Sequence, residues 1–153
     1  MIKLNLGSGA DDLGDFYNID VRQSKGVDLV ANLNTNFPFQ DGSIRKIRAK
    51  FLLEHLENPF NFLSEAYRIL KMNGEILIKV PHANSPTFRE HPEHHSMFIY
   101  ETIPYLTGEK SKATQYYDYR YQLDCFCFYY SRPGLRPLTW FVTTLSNLFP
   151  SMA

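Results

Sequence analysis

Short apolar runs separated by Gly-, Asn-, Asp- and Pro-rich loops set the pattern of this chain. Ile2 to Leu6 is apolar and stopped by glycine, which predicts a strand. Phe16 to Asp20 and Val27 to Leu33 predict two more, and "NTNFPFQDGS" a loop after them. Ile44 to Leu53 reads as a strand running into "EHLENP". Pro59 suits the first turn of a helix, because it lacks only a donor that would be unpaired there. Phe60, Leu63, Ala66, Tyr67 and Leu70 then fall at helical spacing and predict a core-facing stripe. "KMNG" reads as the helix end, with Gly74 in the left-handed cap, and Glu75 to Pro81 as the clearest strand.

Beyond Pro81 the pattern changes. "HANSPTFREHPEHHSMF" reads as loop, with a helical turn or two from Tyr100. Tyr116 to Tyr130 is aromatic and partly alternating, which predicts a long strand or hairpin. "RPGLRP" breaks it, and "LTWFVTTLSNLF" reads as a short apolar helix that packs in the core, joins a dimer or touches a membrane surface.

Strands alternating with loops and helices imply an α/β protein with a mostly parallel sheet. At 153 residues the chain suits one domain, 1–153, with a site-bearing half at 1–82. The second half, 83–153, holds a loop, the aromatic strand region and the C-terminal helix. Ligands in such sheets bind beyond the carboxyl ends of the strands. Gly7, Asp20, Asn32, Lys50 and His82 all fall at or near predicted strand ends, and one cleft can gather them.

Composition narrows the function. Sixteen basic residues balance sixteen acidic ones, so no net positive field draws a long nucleic-acid backbone, and such a substrate is disfavoured. Cys125 and Cys127 stand two apart, a poor spacing for a disulfide, and read as core strand residues of a protein in a reducing compartment. The chain enters a strand at once without a signal peptide, and its apolar runs are too short to span a bilayer. The expected location is the cytoplasm.

The chemistry begins at "LNLGSGADDLGDFYNIDV". Gly7 and Gly9 let the backbone approach a ligand and bare its amides. Asp20, at the end of the next strand, can accept from both hydroxyls of a ribose. The nicotinamide fingerprint fits poorly: its third glycine position holds Asp12, and "ADDLG" would set carboxylates against a pyrophosphate. A cationic, phosphate-free nucleoside fits better, and S-adenosylmethionine is one.

These residues also carry a resemblance. "LNLGSG", "YNIDV" and the run from "VDLVANLNTNFPFQDGS" through "FLLEHLENPFNFLSEAYRILKMNGEILIKVPH" resemble the class I S-adenosylmethionine-dependent methyltransferases, in particular the small type-11-like group. The resemblance covers the first two thirds of the chain and extends weakly through the histidine-bearing loop. It implies a Rossmann-like, mostly parallel sheet flanked by helices. The short segment between Gly9 and Asp20 implies an abbreviated first crossover, and the ending "FPSMA" a shortened C-terminal part. By the same resemblance Gly7, Ser8 and Gly9 approach the methionine part of the cofactor and Asp20 holds the ribose diol. Val21, Asn32 and Leu33 edge the adenine, and Lys50 and Phe51, in the segment Ala49 to His55, pass beneath the sulfonium. Where the group has Asp this chain has Asn32, and Lys50 and Phe51 replace small or polar residues; a lysine suits that place only if it points away or pairs with an acid.

Methyl transfer from a sulfonium needs an acceptor held in line and, at oxygen, a base. His55 and His94 are the catalytic candidates, with Glu54, His82 and His95 behind them. Each has a plain structural alternative as a packing, capping or solvated side chain. "HPEHH" brings His91, Glu93, His94 and His95 close in sequence, but its spacing matches no familiar zinc pattern and the reaction needs no metal, so none is assigned. The leading expectation is a methyltransferase for a small-molecule or glycan-type acceptor, acting at oxygen as a monomer or homodimer. The alternatives are a non-catalytic cofactor-binding or interaction protein of the same fold, and an RNA or protein methyltransferase.

Overall fold

The computed structural model describes residues 1–109, 117–129 and 140–147. Among the described residues seven strands form one sheet: β1 (Ile2–Leu6), β2 (Tyr17–Asp20), β3 (Leu29–Val30), β4 (Ile44–Lys50), β5 (Leu70–Pro81), β6 (Tyr121–Tyr129) and β7 (Trp140–Asn147). Their order is β3-β2-β1-β4-β5-β7-β6. The first five are parallel, and β7 runs antiparallel to both β5 and β6. The order reverses at β1, between β2 and β4, which opens a crevice at the carboxyl ends of these strands.

Alternate positions of the central strands divide the sheet. Leu4, Leu6, Ile47, Ala49, Ile76 and Ile78 are fully buried on one face. Helix α1 (Pro59–Ile69) adds Phe62, Leu63, Ala66 and Ile69 to that core. Helix α3 (Ile103–Leu106) adds Ile103 and Leu106, whereas α2 (Pro86–Arg89) buries none of its residues. The Asn58 side chain caps α1 by accepting from the amides of Phe60 and Asn61. The opposite face carries Lys3, Lys46, Arg48, Lys50, Glu75 and Lys79, alternating with the buried set, and these are only partly covered. That face is polar because no helix forms between β1 and β2, β2 and β3, or β3 and β4.

The first crossover, residues 7–16, is the expected short one and contains turns only. Side chains do the work of a helix there. Asn5, fully buried, donates to the Asp11 carbonyl and to Asn18 Oδ1, both at 2.9 Å. Arg48 then donates to Asn5 Oδ1 at 2.8 Å. The β3–β4 loop is held in a similar way by α1: the Arg68 guanidinium donates to the carbonyls of Phe37 and Phe39 and pairs with Glu65 at 2.7 Å.

Three expectations need correction. The segment read as an apolar C-terminal helix is strand β7 over Trp140–Asn147, paired with β5 from Glu75↔Ser146 to Pro81↔Trp140. Peripheral membrane contact through such a helix falls with it. An eight-residue apolar run does not distinguish strand from helix by periodicity, and here the open edge of β5 decides. Beyond β5, β7 and β6 extend the sheet. Helix α1 ends at Ile69, not at "KMNG": Leu70 is already extended and opens β5. The left-handed residue is Asn73, with φ 58°, while a Cβ on Gly74 would meet the Lys71 carbonyl oxygen at 2.7 Å. Finally, Cys125 is exposed on β6 rather than part of the core. The "RPGLRP" break lies outside the described residues.

Candidate active site

Both glycines after β1 adopt left-handed backbone, Gly7 with φ 66° and Gly9 with φ 54°. A Cβ on Gly7 would stand 2.9 Å from Leu52 Cδ1, so this position also demands close approach. Asp20, at the end of β2, accepts from the Gly9 amide at 2.8 Å through Oδ2 and from the Arg22 amide at 3.1 Å through Oδ1. The carboxylate thus pins the glycine turn across the crevice and keeps lone pairs free to accept further, since each of its oxygens has two. Between the glycines, Ser8 is 6% exposed and its hydroxyl has no partner among the described residues.

Gly7, Asp20, Val21, Asn32 and Leu33 line one cavity of about 130 Å³. Asn34, Leu52, His55 and Leu56 complete its wall. The cavity is smaller than the roughly 300 Å³ at which small-molecule sites usually begin. Val21 is 60% exposed and offers an apolar surface beside the carboxylate. Asn32 Oδ1 already accepts from the Asn34 amide at 3.0 Å, with a second lone pair remaining. Asn34, Leu52 and Leu56 carried no specific signal in the sequence, although Leu52 lies inside the segment Ala49 to His55 that was read as passing beneath the cofactor.

Lys50 and Phe51 are placed differently from expectation. The Lys50 ammonium pairs with Asp11 at 2.8 Å and, with Arg48 and Lys79, lines a separate groove. Phe51 has φ 55°, an uncommon value for an aromatic residue. Its ring sits 5.5 Å from Lys50 Nζ and 5.4 Å from Lys79 Nζ. The alternation of β4 sends Lys50 to the polar face, and the left-handed turn at Phe51 then sends Leu52 back into the cleft. Neither Lys50 nor Phe51 lines the cavity. Asp11 is turned the same way, and hydrogen bonds from Lys50 and then Arg48 hold its carboxyl below the usual range. Of the two "ADDLG" carboxylates expected to repel a pyrophosphate, Asp11 is therefore paired with Lys50 and Arg48 outside the cavity lining, while Asp12 accepts from Asn18 Nδ2 at 3.2 Å.

The two catalytic candidates meet. The His55 and His94 rings are 4.7 Å apart, edge to face, and the loop bearing His94 is tied down by the His95 amide donating to the Glu54 carbonyl at 2.7 Å. Burial lowers the pKa of both imidazoles, with neighbouring histidines adding to the effect. Glu54, in contrast, is pushed up to about 8 by burial. His82 is held by the Asn84 amide at the end of β5 and does not line the cavity. A larger cavity of about 410 Å³ lies between Thr107–Glu109 and Arg120–Leu123, away from all of these residues.

Sequence comparison aligns residues 15–78 with the methyltransferase domain family of type 11. The chain has the fold of the class I S-adenosylmethionine-dependent methyltransferases. Solved structures share the fold at low identity. An S-adenosylmethionine-dependent methyltransferase from Methanosarcina mazei superposes with a TM-score of 0.68 at 15% identity, covering 96% of this chain and 92% of its own. One from Aquifex aeolicus gives 0.64 at 16% identity, covering 97% and 82%. The Burkholderia thailandensis 1,6-didemethyltoxoflavin-N1-methyltransferase, solved with its substrate and S-adenosylhomocysteine, gives 0.69 at 14% identity, covering 97% and 71%. No curated protein matches the chain.

The residues present fit the family's cofactor. The unpartnered Ser8 hydroxyl suits a polar amino-acid end, and the Asp20 carboxylate suits a diol. Among the described residues no helix is long and apolar enough to cross a membrane.

Proposed function

We propose that this methyltransferase acts on a small-molecule or glycan-type acceptor, at an oxygen atom, in the cytoplasm. The observation that carries the reading is the junction at His55. One side chain lines the cofactor cleft beside Gly7 and Asp20 and also packs against His94 of the covering loop.

S-adenosylmethionine, when bound, supplies a methyl group on a sulfonium. Gly7, Ser8, Gly9 and Asp20 hold and orient the cofactor, Val21, Asn32 and Leu33 edge its base, and the loop over Glu54 excludes water. Positioning of this kind removes roughly 7–11 kcal/mol of barrier in favourable cases. His55 or His94, neutral at pH 7 because burial disfavours its charged form, accepts the proton of the acceptor hydroxyl as that oxygen takes the methyl group. The electron pair of the broken carbon–sulfur bond stays on sulfur. Such a base contributes on the order of 10²–10⁴-fold. The balanced charge of the chain favours a small acceptor over a nucleic acid.

The test is calorimetric titration with S-adenosylhomocysteine, followed by transfer of a labelled methyl group from S-adenosylmethionine to a panel of hydroxylated small molecules and oligosaccharides. Micromolar cofactor binding and label on an oxygen are the expected results. Label found only on nitrogen, or only on RNA or protein, overturns the acceptor reading.

A further inference from the structure

The loop between α2 and α3 folds back onto the 3-10 turn Leu53–His55 that follows β4. The amides of His95 and Ser96 both donate to the Glu54 carbonyl, at 2.7 and 3.4 Å. This contact delivers His91 and His94 to His55, with ring centres 6.2 and 4.7 Å from it and 5.1 Å from each other. "HPEHH" is four potential ligands in a row, but the fold selects His94 from it and supplies the others from the far side of β5.

Two further features distinguish this cluster from stacked aromatic packing. His94 Nδ1 lies 3.0 Å from the Phe88 carbonyl oxygen. A carbonyl only accepts, so Nδ1 carries the proton and Nε2 presents its lone pair. Metal-binding imidazoles are held in this way, one nitrogen tied to a backbone carbonyl and the other left to coordinate. Independently, Glu54 is 1% exposed and its Oε2 has no partner among the described residues. Buried carboxylate oxygens are ordinarily satisfied.

We propose that Glu54, His55 and His94 form a site for a single divalent transition-metal ion of the zinc type, beside the cofactor cleft. One donor atom from each residue lies within 4.8 Å of the other two. Bonds of about 2.0–2.2 Å to a common ion then require side-chain shifts of roughly an ångström. Two imidazole nitrogens and one carboxylate oxygen favour zinc or its neighbours over magnesium or calcium, which prefer all-oxygen sites. Three protein ligands leave a fourth position open, as in zinc sites that bind water or substrate. Because His55 also lines the cofactor cavity, that position is next to the place proposed for the acceptor. The ion and the free imidazole base are alternative states of the same lone pairs. Binding of the ion does not depend on the methyl-transfer reading.

The experiment is titration of the chelator-treated full chain with zinc chloride by calorimetry and with cobalt chloride by visible absorption. One ion per chain, micromolar affinity or tighter, and cobalt bands of a four- or five-coordinate nitrogen–oxygen site without thiolate charge transfer are expected. Glu54→Gln keeps the shape of the buried side chain and removes its charge, and His94→Ala removes a ligand. Each is expected to weaken binding roughly tenfold or more, while circular dichroism remains native. His82→Ala, outside the cluster, is expected to change affinity by no more than about twofold. Absence of saturable binding, thiolate bands from Cys125 or Cys127, or full affinity in both Glu54→Gln and His94→Ala overturns the proposal. Loss of S-adenosylhomocysteine binding would instead count against the cofactor site, so the two failures are separable.

Discussion

The carboxylate of Asp20 reaches the backbone amide of Gly9 at 2.8 Å, joining the end of β2 to the turn after β1. One acid therefore both shapes the glycine turn and lines the cleft. Hydrogen bonds to a charged group are worth about 1.5–3 kcal/mol each. Asp20→Ala is expected to weaken S-adenosylhomocysteine binding by at least about tenfold, measured by calorimetry. Unchanged affinity would show that the cofactor does not use this carboxylate.

The two left-handed glycines differ in their surroundings, so alanine at each separates two costs. Gly9→Ala meets nothing within 4 Å and bears only the backbone penalty, about 1–2 kcal/mol. Gly7→Ala bears the same penalty and also collides with Leu52, which lines the cleft. Thermal denaturation is expected to rank Gly7→Ala as the less stable, and cofactor titration to show the larger loss of affinity in the same variant.

Lys50 provides a negative control with content. Its ammonium pairs with Asp11 and stays outside the cleft lining. Lys50→Gln is expected to leave cofactor affinity within about twofold, as for a surface substitution. A large change would return Lys50 to the site.

Glu54 predicts a pH dependence in the metal-free protein. Its carboxyl is pushed up to about 8 when folded, against 4.5 ordinarily. Below the ordinary value both states are protonated. Above it the unfolded chain releases the proton first, so stability falls as pH rises and levels off once the folded carboxyl has also ionised. Glu54→Gln removes this dependence. Its melting temperature is expected to exceed that of the wild type at pH 8 and to approach it at pH 4.5.

Arg68 ties the β3–β4 loop to α1 through two carbonyls and Glu65. Arg68→Ala leaves Glu65 with the Phe37 amide alone, and hydrogen bonds from Arg68 are the main cause of its depressed carboxyl pKa. A loss of about 2–3 kcal/mol in denaturant unfolding is expected. Because Asn32, Leu33 and Asn34 lie in the same loop, cofactor affinity is expected to fall as well.

Much of this protein could be read from local pattern. The strands β1, β2, β4 and β5, the proline-led start of α1, the helix-free first crossover and the glycine turn after β1 all rest on short-range rules of period, capping and turn chemistry. Those rules act within a few residues, so the order of residues alone determines them. The tertiary structure decided what depends on distant partners. Trp140–Asn147 is a strand because the edge of β5 was open to it, although its apolar run suited a helix equally well. Lys50 left the cleft because strand alternation and the opposing Asp11 drew it to the polar face. Glu54 and His55 joined His94 across some forty residues because one loop amide found the Glu54 carbonyl. No periodicity encodes that last contact: its chemistry exists only once the sheet has brought the two segments together.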